Sequence, residues 1–308
     1  MDGYTFARGD ASLHVHHWPA ADARASCLVI HGIAEHGARY ARLATDLVEQ
    51  GFSVHAPDLR GHGLSAKQGS FGHLADHDGW QEVVADLTAL VDKLAGDGLP
   101  VVLIGHSMGS FLVQELISTI GDRLQAAVLS GSNGPLSGID ALGPLVTRIA
   151  RRLSGSRGHS RVIHRMTFAK YNKPFEPGLN EFEWLSRDMD AQQAYIDDPL
   201  CGFEATTQTW RDMMVAYQEL HTPERLAKIP KDLPLYAFCG DHDLVSDGGR
   251  GVERLLVAWQ GAGLRNVSYR IYPEGRHEML NELNWREVHR DLIAWLDEVV
   301  PADARESA

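Results

Sequence analysis

Cysteine is scarce, with three residues in a chain of 308. So small and odd a number gives no disulfide framework. Cys27 and Cys239 sit inside apolar runs and are expected to be inert buried thiols. No Cys/His spacing matches a zinc site, so no metal and no other cofactor is expected. Basic charge is short as well. A formal net charge of −12 excludes a general nucleic-acid partner. No apolar run comes near the roughly 18 residues that a bilayer span needs. The N-terminal MDGYTFARGD lacks a basic stretch followed by an apolar one, so no signal peptide is expected and the reading is a cytoplasmic chain. Internal repeats and low-complexity segments are missing too. The length and the 44% apolar content suit one large domain, or a core domain with an insertion.

What is present centres on Val101–Ser110, VVLIGHSMGS. Four apolar residues read as a strand buried on both faces. Gly105-His106-Ser107-Met108-Gly109 follows, and an apolar helical pattern through Phe111, Leu112, Leu116 and Ile117 begins at once. A strand that turns into a helix within two residues strains the residue at the apex, here Ser107. Glycines on either side clear the bend, and the hydroxyl emerges at the carboxyl end of the strand. The Met108 N–H then lies at a helix N-terminus, where a negative oxygen is favoured.

Around this elbow the pattern alternates. Thr5–Ala7 and Leu13–Trp18 read as a hairpin about Gly9 and Asp10. Further strands are expected at 26–30, 52–56, 126–129, 235–239 and 267–272. Helices are expected at 40–50, 76–94, 252–260 and 285–299. Such alternation predicts a mostly parallel central sheet with helices on both faces. The Gly- and His-rich loops at 31–37, 58–65 and 105–109 should then converge at the carboxyl edge of the sheet. From Gly134 to Lys231 the alternation stops and prolines punctuate a helical stretch. The predicted organisation is a core of residues 1–133 and 232–308, with 134–231 inserted as a helical cap.

A serine hydroxyl needs a base, and the base needs an acid to orient it. On a strand–elbow–helix sheet the order is Ser, then Asp or Glu, then His. His277 follows the last strand in YPEGRHE, whereas His289 falls inside a helical pattern. The exit of the 126–129 strand, SGSN, holds no carboxylate, so the acid comes from GDHDLV after the 235–239 strand. Asp243 is the choice, because Leu244 and Val245 can bury it against His277. Asp241 is the alternative, assigned to bonding its own turn. Gly32 allows close backbone approach, which makes the Ile33 N–H the second oxyanion donor beside that of Met108. His31, His36 and His62 are read as structural, with ring nitrogens bonding loop backbones.

The set HGIAEHGARY (31–40), DLRGHGLS (58–65), GHSMGS (105–110), GDHDLV (240–245) and YPEGRHEML (272–280) resembles the monoacylglycerol lipase and lysophospholipase group of α/β-hydrolases, the serine-aminopeptidase-like hydrolases. The resemblance covers the core in the right order. It implies an α/β-hydrolase fold and a Ser107–His277–Asp243 triad, with Ile33 and Met108 as oxyanion donors. It also implies a carboxylester hydrolase acting on a small-molecule or lipid ester such as a monoacylglycerol or lysophospholipid. A short-chain carboxylesterase and an aminopeptidase are the alternatives, and a non-catalytic binding protein on the same fold is a third. Ser110 stands where the family often has glycine, a difference expected to affect helix packing alone.

One feature lies outside that resemblance. Residues 141–175 hold eight Arg and Lys side chains and no carboxylate. Leu142, Leu145, Val146, Ile149 and Leu153 have helical spacing, with Arg148, Arg151 and Arg152 off that face. The pattern predicts either peripheral membrane contact through the cap or pairing of these arginines with acidic residues such as Glu176, Glu181 and Glu183.

Overall fold

A computed structural model describes residues 2–66, 70–135, 142–175 and 178–300. Eight strands among them form one sheet: β1 (Asp2–Arg8), β2 (Ala11–Trp18), β3 (Ala25–Ile30), β4 (Phe52–Pro57), β5 (Val101–His106), β6 (Ala126–Ser130), β7 (Leu235–Gly240) and β8 (Val267–Tyr272). Their order is β1-β2-β4-β3-β5-β6-β7-β8. The hairpin β1–β2 joins antiparallel to β4, and every other pairing is parallel. This is the mostly parallel α/β sheet that the alternating pattern predicts.

The helices are α1 (Ala41–Glu49), α2 (Gly79–Gly96), α3 (Met108–Thr119), α4 (Gly143–Ser154), α5 (Arg161–Met166), α6 (Phe168–Asn172), α7 (Met189–Asp197), α8 (Thr207–Glu219), α9 (Pro223–Lys228), α10 (Arg250–Gly261) and α11 (Trp285–Val299). Alternate residues of a strand point to opposite faces, and both faces of the central strands are apolar. Leu28, Ile30, Val101 and Leu103 pack with α2, α3 and α10. Cys27, Val29, Val102 and Ile104 pack with α1 and α11 on the other face. Two apolar layers thus fix the register of β3 and β5, whose carboxyl ends hold the site. Helix α2 starts at Gly79 rather than at the expected Asp76, because Asp78 takes a left-handed conformation (φ +50°) and cannot continue a helix backwards. Asp212 of α8 accepts the Gly79 N–H at 3.0 Å and finishes that end.

The loops after β3, β4 and β5 meet as expected. The Leu59 N–H donates to His31 Nε2 at 3.0 Å, and the His31 and His62 rings lie 5.0 Å apart. Between β6 and β7 the chain runs through α4 to α9, with α8 packed on α4 and α2. No helix among the described residues is long and apolar enough to cross a membrane.

Candidate active site

Ser107 is the one residue between β5 and α3, at φ +51° and ψ −120°. A Cβ on Gly105 would lie 2.4 Å from the Gly109 carbonyl oxygen, so glycine is needed to close the bend. A Cβ on Gly109 would lie 2.0 Å from the Ile30 carbonyl oxygen, so glycine there lets α3 sit against β3. The Ser107 N–H donates to the Ser130 carbonyl at 2.9 Å, extending the β5–β6 ladder through the apex. Ser110 does more than the helix packing expected of it: its hydroxyl donates to the Ser107 carbonyl at 2.6 Å.

His277 lies in the loop between β8 and α11 and is 1% exposed. Its Nδ1–H donates to Asp243 Oδ1 at 3.0 Å, and the same oxygen accepts the Val245 N–H at 2.9 Å. Asp243 is fully buried. On one side of the imidazole is Gly131 (φ +59°), where a Cβ would come within 2.9 Å of the ring. On another the indole of Trp184 stacks on it, 5.1 Å between centroids. The remaining nitrogen, Nε2, is buried and has no hydrogen-bond partner among the described residues. Asp241, the alternative acid, is exposed and lies 4.0 Å from the His242 ring rather than bonding its own turn. His289 is held on α11 by Asp46 at 2.7 Å.

Burial works against a charged His277, but the charge and hydrogen bond of Asp243 outweigh it, and the imidazole pKa is raised above the ordinary value. Burial likewise opposes an ionised Asp243, but the charge and hydrogen bond of His277 together with the bonds from Val245 and Ser246 outweigh it and lower the carboxyl pKa. His106, 4.7 Å from the His277 ring, is pushed down to about 4 by burial and by that neighbour, and so stays neutral. A base acts only when neutral, so activity falls as pH drops through the raised His277 pKa. The acid limb of kcat/KM for a soluble ester is therefore expected above about 6.5, the value of a free histidine. A midpoint below that value would contradict this electrostatic picture.

Ile33 and Met108 line the same cavity as Ser107 and His277. No hydrogen bond occupies the N–H of either residue among the described contacts. Gly32 allows this, since a Cβ there would stand 3.1 Å from Ser107 Cβ. His31 and His62 are structural as expected, donating from Nδ1 to the Gly32 and Arg60 carbonyls at 2.6 and 2.9 Å. His36 departs from that reading. It bonds no loop backbone but the carboxylate of Asp198 at 2.8 Å.

The cavity has a volume of about 290 Å³. Its lining includes the apolar side chains of Phe111, Ile163, Phe168, Trp210, Met213 and Tyr217. It also includes the polar group Glu35, Tyr195 and Glu278. This polar group escaped the sequence reading. Glu35 and Arg39 sit in the HGIAEHGARY motif, whose sequence expectations rest on His31, Gly32, Ile33 and His36, and Glu278 sits beside the base.

Of the basic residues of 141–175, Lys170 lines the cavity, and Arg148, Arg151 and Arg152 do not. Arg148 and Arg152 are exposed on α4, and Arg151 is half-buried. None of the three makes an ion pair among the described residues. Of the acidic partners considered, Glu183 lies 4.0 Å from Arg276, and Glu176 falls outside the described residues. Most of the apolar stripe along α4 faces outward, although Val146 is half-buried and lines the cavity. Leu142, Leu145 and Ile149 are 52–54% exposed and Leu153 81%, while Thr147 and Ala150 point inward.

Comparison with known proteins places these features in context. Residues 21–284 match the family described as "Serine aminopeptidase, S33". A monoacylglycerol lipase of Mycolicibacterium smegmatis is 29% identical over 282 residues, covering 90% of each chain. Phospholipase YtpA of Bacillus subtilis is 24% identical, covering 92% of this chain and 99% of its own. Among solved structures, a thermostable carboxyl esterase from Bacillus coagulans in complex with glycerol superimposes with a TM-score of 0.88 at 24% identity, over 97% of this chain and 98% of its own.

Proposed function

The chain belongs to the serine aminopeptidase S33 family of α/β-hydrolases, and from that premise we propose that it is a serine carboxylester hydrolase acting on lipid-type esters, a monoacylglycerol or lysophospholipid. The observation behind this reading is a buried His277 whose Nδ1 is bonded to Asp243, whose Nε2 has no partner among the described residues, and which lines one cavity with Ser107. In the proposed mechanism His277 Nε2 takes the Ser107 proton as the hydroxyl attacks the ester carbonyl. The N–H groups of Ile33 and Met108 hold the oxyanion, each worth on the order of 3 kcal/mol. The alcohol leaves with the proton from His277, and water then hydrolyses the acyl-enzyme by the same route. The apolar lining suits the acyl chain, and the polar group of Glu35, Tyr195 and Glu278 suits the alcohol half. An amidase acting on a free amino terminus would need a carboxylate to receive the amine. Glu35 and Glu278 are both engaged by Arg39, which speaks against that reading.

Residues 134–231 serve in this reading as a cap over the core of 1–133 and 232–308, and α4 is its lipid-facing surface. A mostly outward apolar stripe beside arginines that make no ion pair among the described residues suits an anionic bilayer. Each basic side chain near such a surface contributes about 1 kcal/mol. The test uses monoolein and lysophosphatidylcholine in anionic vesicles beside p-nitrophenyl butyrate in solution. Wild type is expected to cleave all three. A variant with Arg148→Glu, Arg151→Glu and Arg152→Glu should lose vesicle binding and vesicle hydrolysis at least tenfold and keep the soluble rate. Unchanged vesicle binding would remove the membrane contact, and cleavage of the soluble ester alone would remove the lipid substrate.

A further inference from the structure

Glu35 presents a puzzle. It is 3% exposed, and Glu278 is 4% exposed, with one guanidinium between them. Arg39 donates from Nη1 and Nη2 to the two Glu278 oxygens at 2.8 Å each, and Nη1 also donates to Glu35 Oε2. Burying three charges is costly, and a buried ion cluster of this kind is weak evidence for stability. Its net negative charge also lies near the point where the proposed mechanism builds an oxyanion. The cluster therefore opposes the oxyanion while favouring the His277 imidazolium, and its burial calls for some further contribution.

The geometry supplies that further contribution. Glu35 Oε1 accepts two bonds, one from the Tyr40 hydroxyl at 2.8 Å and one from the Gly32 N–H. The Gly32 residue precedes Ile33, the proposed donor. On the far side, Ala34 holds a strained left-handed conformation (φ +59°). Its carbonyl accepts the Tyr195 hydroxyl at 2.9 Å and the Gly202 N–H at 3.0 Å. The chain is gripped at Gly32 and at Ala34, and the Ile33 N–H between them makes no hydrogen bond among the described residues. Arg39 extends the grip to Glu278, the residue after His277, so one guanidinium ties the loop of the proposed donor to the loop of the base.

We propose that Glu35 is the positioning residue of the oxyanion loop, holding the Gly32 N–H so that the next peptide, whose Gly32 carbonyl is bonded by His31, aims the Ile33 N–H at the developing negative oxygen, with Arg39 and Tyr40 holding Glu35 in place. The proposal rests on the serine hydrolase reading above. Donor aim matters in the transition state and little in the ground state, so the expected signature falls on kcat. Loss of one oxyanion donor lowers kcat by about 10²–10³-fold, and misaiming it should cost part of that.

The experiment measures kcat and KM for p-nitrophenyl butyrate, and inhibition by an alkyl trifluoromethyl ketone, whose serine adduct carries an oxyanion. The proteins are wild type, Glu35→Gln, Tyr40→Phe and Ser107→Ala. Glu35→Gln is expected to lower kcat at least tenfold with KM within twofold, and to weaken the ketone in proportion. Tyr40→Phe, which removes a single bond to Glu35, should lower kcat several-fold by the same pattern. Thermal melts identify the folded variants, and if Glu35→Gln does not fold, Tyr40→Phe decides. Wild-type kcat in a folded Glu35→Gln, or in Tyr40→Phe where that variant decides, would overturn the positioning role while an inert Ser107→Ala left the hydrolase reading standing. Activity surviving in Ser107→Ala would remove the premise, and the proposal with it.

Discussion

Ser107→Ala is expected to lower kcat by about 10⁶-fold for every ester the protein cleaves, the loss that accompanies removal of a triad serine. The size of the effect follows from the absence of a substitute. Ser110 lies one helical turn on, but its hydroxyl is bonded to the Ser107 carbonyl. Ser132 is hydrogen-bonded to the Ser110 hydroxyl, accepts from Gln114 and is fully buried. The Cys201 thiol does not line the cavity, and burial pushes its pKa up, away from the reactive thiolate. Alanine keeps the Cβ and tolerates the same backbone as serine, so the elbow, the glycine contacts and the fold are expected to survive. The measurement is turnover of a soluble ester, paired with labelling by a fluorophosphonate. Wild type should take one label, on the peptide containing Ser107, and the variant none. A residual rate far above the expected loss would mean that another nucleophile, or water activated directly by His277, does the work.

Much of this arrangement is legible in the sequence because it depends on local pattern. β3 and β5 are buried on both faces, so they read as unbroken apolar runs, and the elbow is punctuated by glycines that the backbone needs. His277 could be found from chain order, because a sheet of right-handed crossovers brings the loop after β8 to the same edge. The remainder depends on which surfaces meet. Arg39 reaches Glu278 across 239 residues of chain, and no spacing rule predicts that contact. The same holds for His36 and Asp198. Helix α4 makes the point most directly. Its period was visible, but a period says which residues share a face and not where that face looks. Apart from Val146, the apolar stripe looks outward, and the small side chains of Thr147 and Ala150 meet the protein.

The choice between Asp243 and Asp241 divides the same way, and it leads to the second large expected effect. Asp243→Asn is expected to lower kcat about 10⁴-fold, as replacement of a triad acid by its amide does, while Asp241→Asn stays within twofold of wild type. Either orientation of the new amide is unfavourable. With its nitrogen toward the ring, it forces the proton onto Nε2, and His277 can no longer accept from Ser107. With its oxygen there, the tautomer survives, but the imidazolium formed during attack has no carboxylate beside it and is 1% exposed to water. The charge of Asp243 is also what raises the His277 pKa against burial. Its loss should therefore move the acid limb of the residual activity to lower pH, and Asp241→Asn should leave that limb in place. The two carboxylates sit two residues apart in one loop, yet one is fully buried against the base and the other is open to solvent. The paired variants thus separate burial and contact from mere proximity in sequence. Comparable losses in both would mean that the loop, and not one carboxylate, orients the base, and an unshifted acid limb in Asp243→Asn would mean that some other negative group sustains the imidazolium.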